Sequence, residues 1–152
     1  MTTLVIILDT NVVSEFMLPA PDPRVRAWYA PQDVARVVMT VVTVMEVRHG
    51  FHRLPAGRRR DALLALFDDF RAMGVAAVLD LDEPAAAEAA RFLADRERAG
   101  RRVQDVRDAQ VVGIAVAQAE RLGEPVVIAT RNVADFEGIH SAGVSVANPW
   151  SL

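Results

Sequence analysis

The chain is 152 residues long and 52% hydrophobic, with 17 basic and 20 acidic side chains and a net charge of −3. That is one domain's worth of chain, able to bury about 68–70% of its unfolded surface. No apolar stretch approaches the ~20 residues needed to span a bilayer, so a cytoplasmic protein without membrane contact is expected. All 17 basic residues are arginine and cysteine is absent, which excludes disulfides, thiolate metal sites, lysine Schiff bases and a P-loop lysine.

In chain order, the apolar run Leu4–Leu8 predicts a buried strand, followed by helices at about Val12–Met17 and Pro23–Ala30. Val37–Val42 predicts a second strand, and helices follow at about Thr43–Leu54 and Gly57–Met73. The third strand, Val75–Leu79, leads to a helix at Glu83–Ala99 and a long one at Asp105–Leu122. Strands at Val126–Ala129 and, more weakly, Val144–Val146 complete the chain. Gly74, Gly100 and Gly123 stand where helices should stop. Strands separated by helices predict a mostly parallel sheet of about five strands, with both faces covered. No repeat or linker divides the chain, so residues 1–152 read as a single domain.

In such a sheet the ligand crevice lies at the carboxyl ends of the strands, and three of those ends are polar. The first gives Asp9-Thr10-Asn11, the second runs into Thr43 with Glu46 beyond, and the fourth runs into Thr130-Arg131-Asn132 with Asp135 beyond. Asp105 and Asp108 share one face at the start of the last long helix. Capping accounts for some of these acids: "TVME" at Thr43–Glu46 fits a capping box, and "DVRD" at Asp105–Asp108 places acids at the cap and third positions. Asp9 resists that explanation, because it directly follows buried apolar residues and an unpaired buried carboxylate is costly. Like charges ~4 Å apart repel by about 1–4 kcal/mol between water and an effective dielectric of 20, so converging acids call for a cation. Oxygen ligands without cysteine or nearby histidine select Mg2+ or Mn2+, and those ions point to phosphate-ester chemistry in which an activated water attacks phosphorus.

The stretches "LDTNVVSEFM" (Leu8–Met17), "VVTVMEVRHG" (Val41–Gly50), "RDAQVVGIA" (Arg107–Ala115), "ATRNVADFEG" (Ala129–Gly138) and "NPW" (Asn148–Trp150) together resemble PIN-domain endoribonucleases, specifically VapC-type toxins of bacterial toxin–antitoxin pairs. The resemblance implies a PIN-like three-layer α/β/α fold, Mg2+ or Mn2+ dependence and hydrolysis of RNA phosphodiesters by a metal-activated water. It also implies dimerisation and inhibition by a VapB-like antitoxin. Carried over by residue, the family's acids fall on Asp9, Glu46 and Asp108, with Asp9 and Asp108 as direct metal ligands. Glu46 would complete the negative pocket or hold a metal-bound water, and Asp105, Thr10, Asn11 and Thr130 would support it. Asn132 stands where many relatives carry a fourth acid, which weakens the case for a second metal and leaves Asp135 to substitute.

Other features carry less. Glu46 and His49 have the spacing of a di-iron motif, but that site needs two copies, and His49 and His52 read as surface residues. The arginines of "GRRRD" (Gly57–Asp61) and Arg96, Arg98, Arg101 and Arg102 read as solvated faces before RNA contacts, and Trp28 and Trp150 as packing anchors. Two rival functions are a phosphotransferase with Asp9 as nucleophile and a catalytically inactive binding module that works through an antitoxin or RNA. The first lacks a second acid at position 11 and the usual lysine.

Overall fold

Runs that are apolar at every position, not at alternate ones, suit strands covered on both faces, and they form the sheet here. A computed structural model describes residues 4–151; residues 1–3 and 152 of the expected 1–152 unit lie outside the described residues. Strands β1 (Val5–Leu8), β2 (Val37–Thr40), β3 (Ala77–Leu79), β4 (Val126–Ala129) and β5 (Val144–Ala147) pair entirely in parallel, in the order β3-β2-β1-β4-β5. Helices α1 (Thr10–Phe16), α2 (Pro23–Tyr29), α3 (Val41–His52), α4 (Arg58–Met73), α5 (Glu83–Arg98) and α6 (Val106–Leu122) connect them, with short 3-10 turns at Val34–Arg36 and Val133–Phe136.

The period of two along each strand divides its side chains between two cores. Val5 and Ile7 of β1, Val38 of β2 and Val126 and Ile128 of β4 pack with α5 and α6. Ile6 and Leu8, Val37 and Met39, and Ala129 face the opposite core with Val12, Val25, Val47 and Phe67 from α1 to α4. The result is the expected three-layer α/β/α arrangement. Among the described residues no helix is long and apolar enough to cross a membrane.

Several boundaries differ from the sequence reading. β2 ends at Thr40, not Val42, and α3 begins at Val41 because the Thr40 hydroxyl caps it by accepting from the Thr43 amide at 3.3 Å. The expected capping box at Thr43–Glu46 is therefore corrected: the cap lies three residues earlier, which places Glu46 in the second turn of the helix. β3 starts at Ala77, although the Ala76 amide already donates to the Val37 carbonyl at 2.7 Å. Gly123 closes α6 in the left-handed conformation at φ 64°, which glycine adopts without a Cβ penalty, and turns the chain into β4. Trp150 is buried, Trp28 is half-buried, and His49 and His52 are exposed, in line with the plainer reading of each.

Candidate active site

The strand order brings the three polar strand ends side by side, since β1 lies between β2 and β4. Chain direction also reverses its outward progression here, with β2 and β3 on one side of β1 and β4 and β5 on the other, the place where open parallel sheets bind ligands.

Asp9 is the N-cap of α1: its Oδ1 accepts from the Thr10 amide at 2.9 Å. A buried strand can therefore end on a carboxylate because the helix that follows supplies an amide for it. Its Oδ2 accepts from the Thr130 hydroxyl at 2.8 Å, and Thr130 is itself fully buried. The Asn11 amide donates to that hydroxyl at 3.1 Å, while Asn11 Oδ1 accepts from the Arg131 amide at 3.1 Å. These bonds stitch the end of β1 to the end of β4. Asp9 is only 7% exposed, and burial pushes its carboxyl above the ordinary value despite the bonds from Thr130 and Thr10, with the charges of Glu46 and Asp135 adding to the rise.

Glu46 is held from two sides. Its Oε1 accepts from the Thr10 hydroxyl at 2.9 Å, which also lies 3.0 Å from the hydroxyl of Thr43, and its Oε2 is 3.4 Å from a guanidinium nitrogen of Arg107. Asp105 caps α6 as expected, accepting from the Arg107 amide at 2.9 Å, and also grips the Arg107 side chain at 2.7–3.0 Å. Asp108, one turn along, is pushed up from 3.8 to about 7: burial is the largest cause, followed by the charges of Asp135, Asp9, Asp105 and Glu46. The five acids therefore act on one another across the chain.

Asp135, in the turn at Val133–Phe136, is near enough for its charge to act on Asp9 and Asp108, whereas Asn132 is exposed and its side chain caps nothing. Two groups at the site are not marked by the sequence pattern. Thr40, inside an apolar run, ends β2 and caps α3. Arg107 stands between two acids, and its place beside the helix cap Asp105 is its only local signal. The arginines in the last turn of α5 and just after it are tied into the protein: Arg96 donates to the Glu137 carbonyl at 2.6 Å, Arg98 pairs with Asp95, and Arg101 pairs with Glu137.

The donor set fits a hard divalent cation. Clustered carboxylates whose mutual charge raises the affinity of one for a proton have an equal interest in a metal ion. Among the described residues no three acidic or histidine side chains form a ready ligand cage. A Mg2+ ion needs only one or two carboxylates from the protein and completes its shell with water and phosphate oxygens. Asp9 and Asp108 are the residues that would hold it.

The raised carboxyls give a pH prediction for metal-free protein. Unfolded, Asp108 releases its proton near 3.8; folded, it keeps it until about 7. Its contribution to stability is thus fully present below 3.8 and lost as pH rises to about 7, and Asp9 acts in the same direction. Asp22, lowered to about 2 chiefly by Arg24, works oppositely but only below about 3.8. With chelator present, the melting temperature should fall between about pH 5 and pH 7, and added Mg2+ should restore it at pH 7 but not at pH 5. A slope that is flat or rising across this window would contradict the clustering.

The family profile of the PIN domain matches residues 6–135, and the chain belongs to that family. Within it, the chain is similar to the VapC ribonuclease Y4jK of Sinorhizobium fredii, 32% identical over 146 residues covering 95% of this chain and 97% of that protein. Among solved structures, FitAcB from Neisseria gonorrhoeae superposes with a TM-score of 0.82 at 30% identity, covering 97% of this chain and all of that one. VapBC-5 from Mycobacterium tuberculosis, a member of the VapBC family of toxin–antitoxin systems, superposes with a TM-score of 0.66 at 26% identity, over 96% of this chain and 98% of that one.

Proposed function

We propose that this protein is the RNA-cleaving toxin of a toxin–antitoxin pair, a Mg2+- or Mn2+-dependent endoribonuclease held in check by a VapB-like antitoxin. The observation that carries the reading is the buried Asp9, fastened by Thr130 and Thr10 at the centre of the sheet and in electrostatic reach of Glu46 and Asp135. The similarity to a VapC ribonuclease and to a toxin–antitoxin structure supports the activity and the kind of partner.

Asp9 and Asp108 would hold the metal, which when bound lowers the pKa of a water and offsets charge on the scissile phosphate. Thr130 and the Thr10 amide keep Asp9 in one rotamer, so the ligand is oriented before anything binds. Glu46, which accepts from the Thr10 hydroxyl and faces Arg107, completes the wall of the negative pocket. Asp135 adds negative charge to the same group.

Incubating the purified protein with total cellular RNA and Mg2+, Mn2+ or chelator, then mapping new ends, tests the reading. Metal-dependent cuts leaving 5′-phosphate and 3′-hydroxyl ends are expected, because water and not the ribose 2′-hydroxyl attacks. Cyclic-phosphate ends formed without metal would refute it. The exposed Asn132 keeps the inactive binding module as the second reading, and RNA binding with no metal-dependent turnover would favour that one.

A further inference from the structure

An acid cluster that works on a polyanion has to offset its own repulsion of the substrate. The chain's net charge of −3 provides no general attraction, so the offset must be local. Arg107 is placed to supply it. Its Nε and one terminal nitrogen are gripped by both oxygens of Asp105 at 2.7–3.0 Å. The other terminal nitrogen lies 3.4 Å from Glu46, an ion-pair distance without a hydrogen bond, and the side chain is 39% exposed. The guanidinium is thus fixed by one edge and open along the other, with its charge acting on Glu46, Asp105 and Asp108 together.

We propose that Arg107 is the phosphate anchor of this site: Asp105 holds its guanidinium at the rim of the acid cluster, and its free edge binds a non-bridging phosphate oxygen of the RNA strand. The inference rests on the RNA-cleaving reading and deepens it. Arginine suits the role because its planar fork binds phosphate through two donors and stays charged at every working pH. Pinning by Asp105 means little side-chain freedom remains to be lost when the strand arrives. Asp105 becomes a positioning residue for Arg107 and not a metal ligand. Arg131, the other arginine near the strand ends, lies over the ring of Trp150 at 5.1 Å.

The test uses a fluorescein-labelled single-stranded RNA carrying a cleavage site mapped with the wild-type protein. Its affinity is measured by anisotropy across a salt series, with chelator present so that the strand stays intact. Each phosphate contact contributes about 0.7 to the slope of log affinity against log salt for a single strand. Arg107→Ala should therefore bind about tenfold more weakly with a slope shallower by about 0.7. Arg107→Lys should keep the slope but lose part of the affinity, and Arg71→Ala, an exposed change on α4, should leave both unchanged. Asp105→Asn preserves the helix cap yet frees the guanidinium, and should raise KM with kcat unchanged. Wild-type affinity and slope in Arg107→Ala would overturn the proposal and leave Arg107 as a strut between Asp105 and Glu46. An equal loss in Arg71→Ala would overturn it too, as a general charge effect. If the wild-type protein cuts no RNA at all, the reading of the whole site falls and the anchor falls with it.

Discussion

Asp108→Asn should abolish RNA cleavage while making the metal-free protein more stable. The side chain keeps its size and its place at the third position of α6, so packing is undisturbed. What changes is charge, in the one carboxyl whose proton affinity is raised to about 7 by burial and by Asp135, Asp9, Asp105 and Glu46. Losing a metal ligand forfeits several kcal/mol of transition-state stabilisation, so turnover should fall by at least about 10³-fold. Relieving the repulsion works the other way, and a melting temperature higher by about 2–4 °C in chelator is expected, the shift that about 1 kcal/mol produces at this chain length. Added Mg2+ should no longer stabilise the variant, and its melting temperature should vary less between pH 5 and 7. Retained cleavage, or a variant less stable than the parent without metal, would remove Asp108 from the site.

The largest expected loss of stability comes from a substitution that helix propensity alone would favour. Gly113 lies inside α6, where alanine is intrinsically better by about 1 kcal/mol. Here α5 crosses so closely that a Cβ on residue 113 would press into the backbone carbonyl of Ala85 and come within 2.8 Å of the Ala89 amide nitrogen and 2.9 Å of the Ala89 Cβ. Those are mostly backbone atoms, which cannot turn aside as a side chain would. Overpacking of this kind costs about 1–3 kcal/mol or more, and the two helices can relieve it only by moving apart and loosening the core they share with Phe92, Val112 and Val116. Gly113→Ala should therefore lower the melting temperature by about 4–8 °C, or about 2 kcal/mol net, with Gly113→Leu worse. A neutral or stabilising Gly113→Ala would mean that the helices do not approach as described.

The three central strands were legible because burial on both faces leaves a nearly unbroken apolar run, and the polar residues at their ends stood out against it. Which strands are neighbours was not legible, since "VIIL" and "VVIA" pair only through a register that no local pattern records. The same run hid a boundary: in Val37–Val42 every residue but Thr40 is apolar, and the switch from strand to helix rests on one hydroxyl, that of Thr40. The turn at Val133–Phe136 is too short to carry a periodic signal, so Asp135 was visible as an acid but its direction was not. Arg107 could be read as a cap neighbour, whereas its approach to Glu46 depends on α3 and α6 meeting across 61 residues of sequence. The candidate site was thus readable as a set of residue types, and its wiring became readable only with the sheet assembled.

The position of β1 between β2 and β4 has a consequence for timing. Synthesis delivers Asp9 first, but the hydroxyl of Thr130 that fastens it, and β4 just before it, emerge only some 121 residues later. Without them one edge of β1 has no partner strand and Asp9 lacks the Thr130 donor. The centre is thus assembled last, by the joining of two strands that are far apart in sequence.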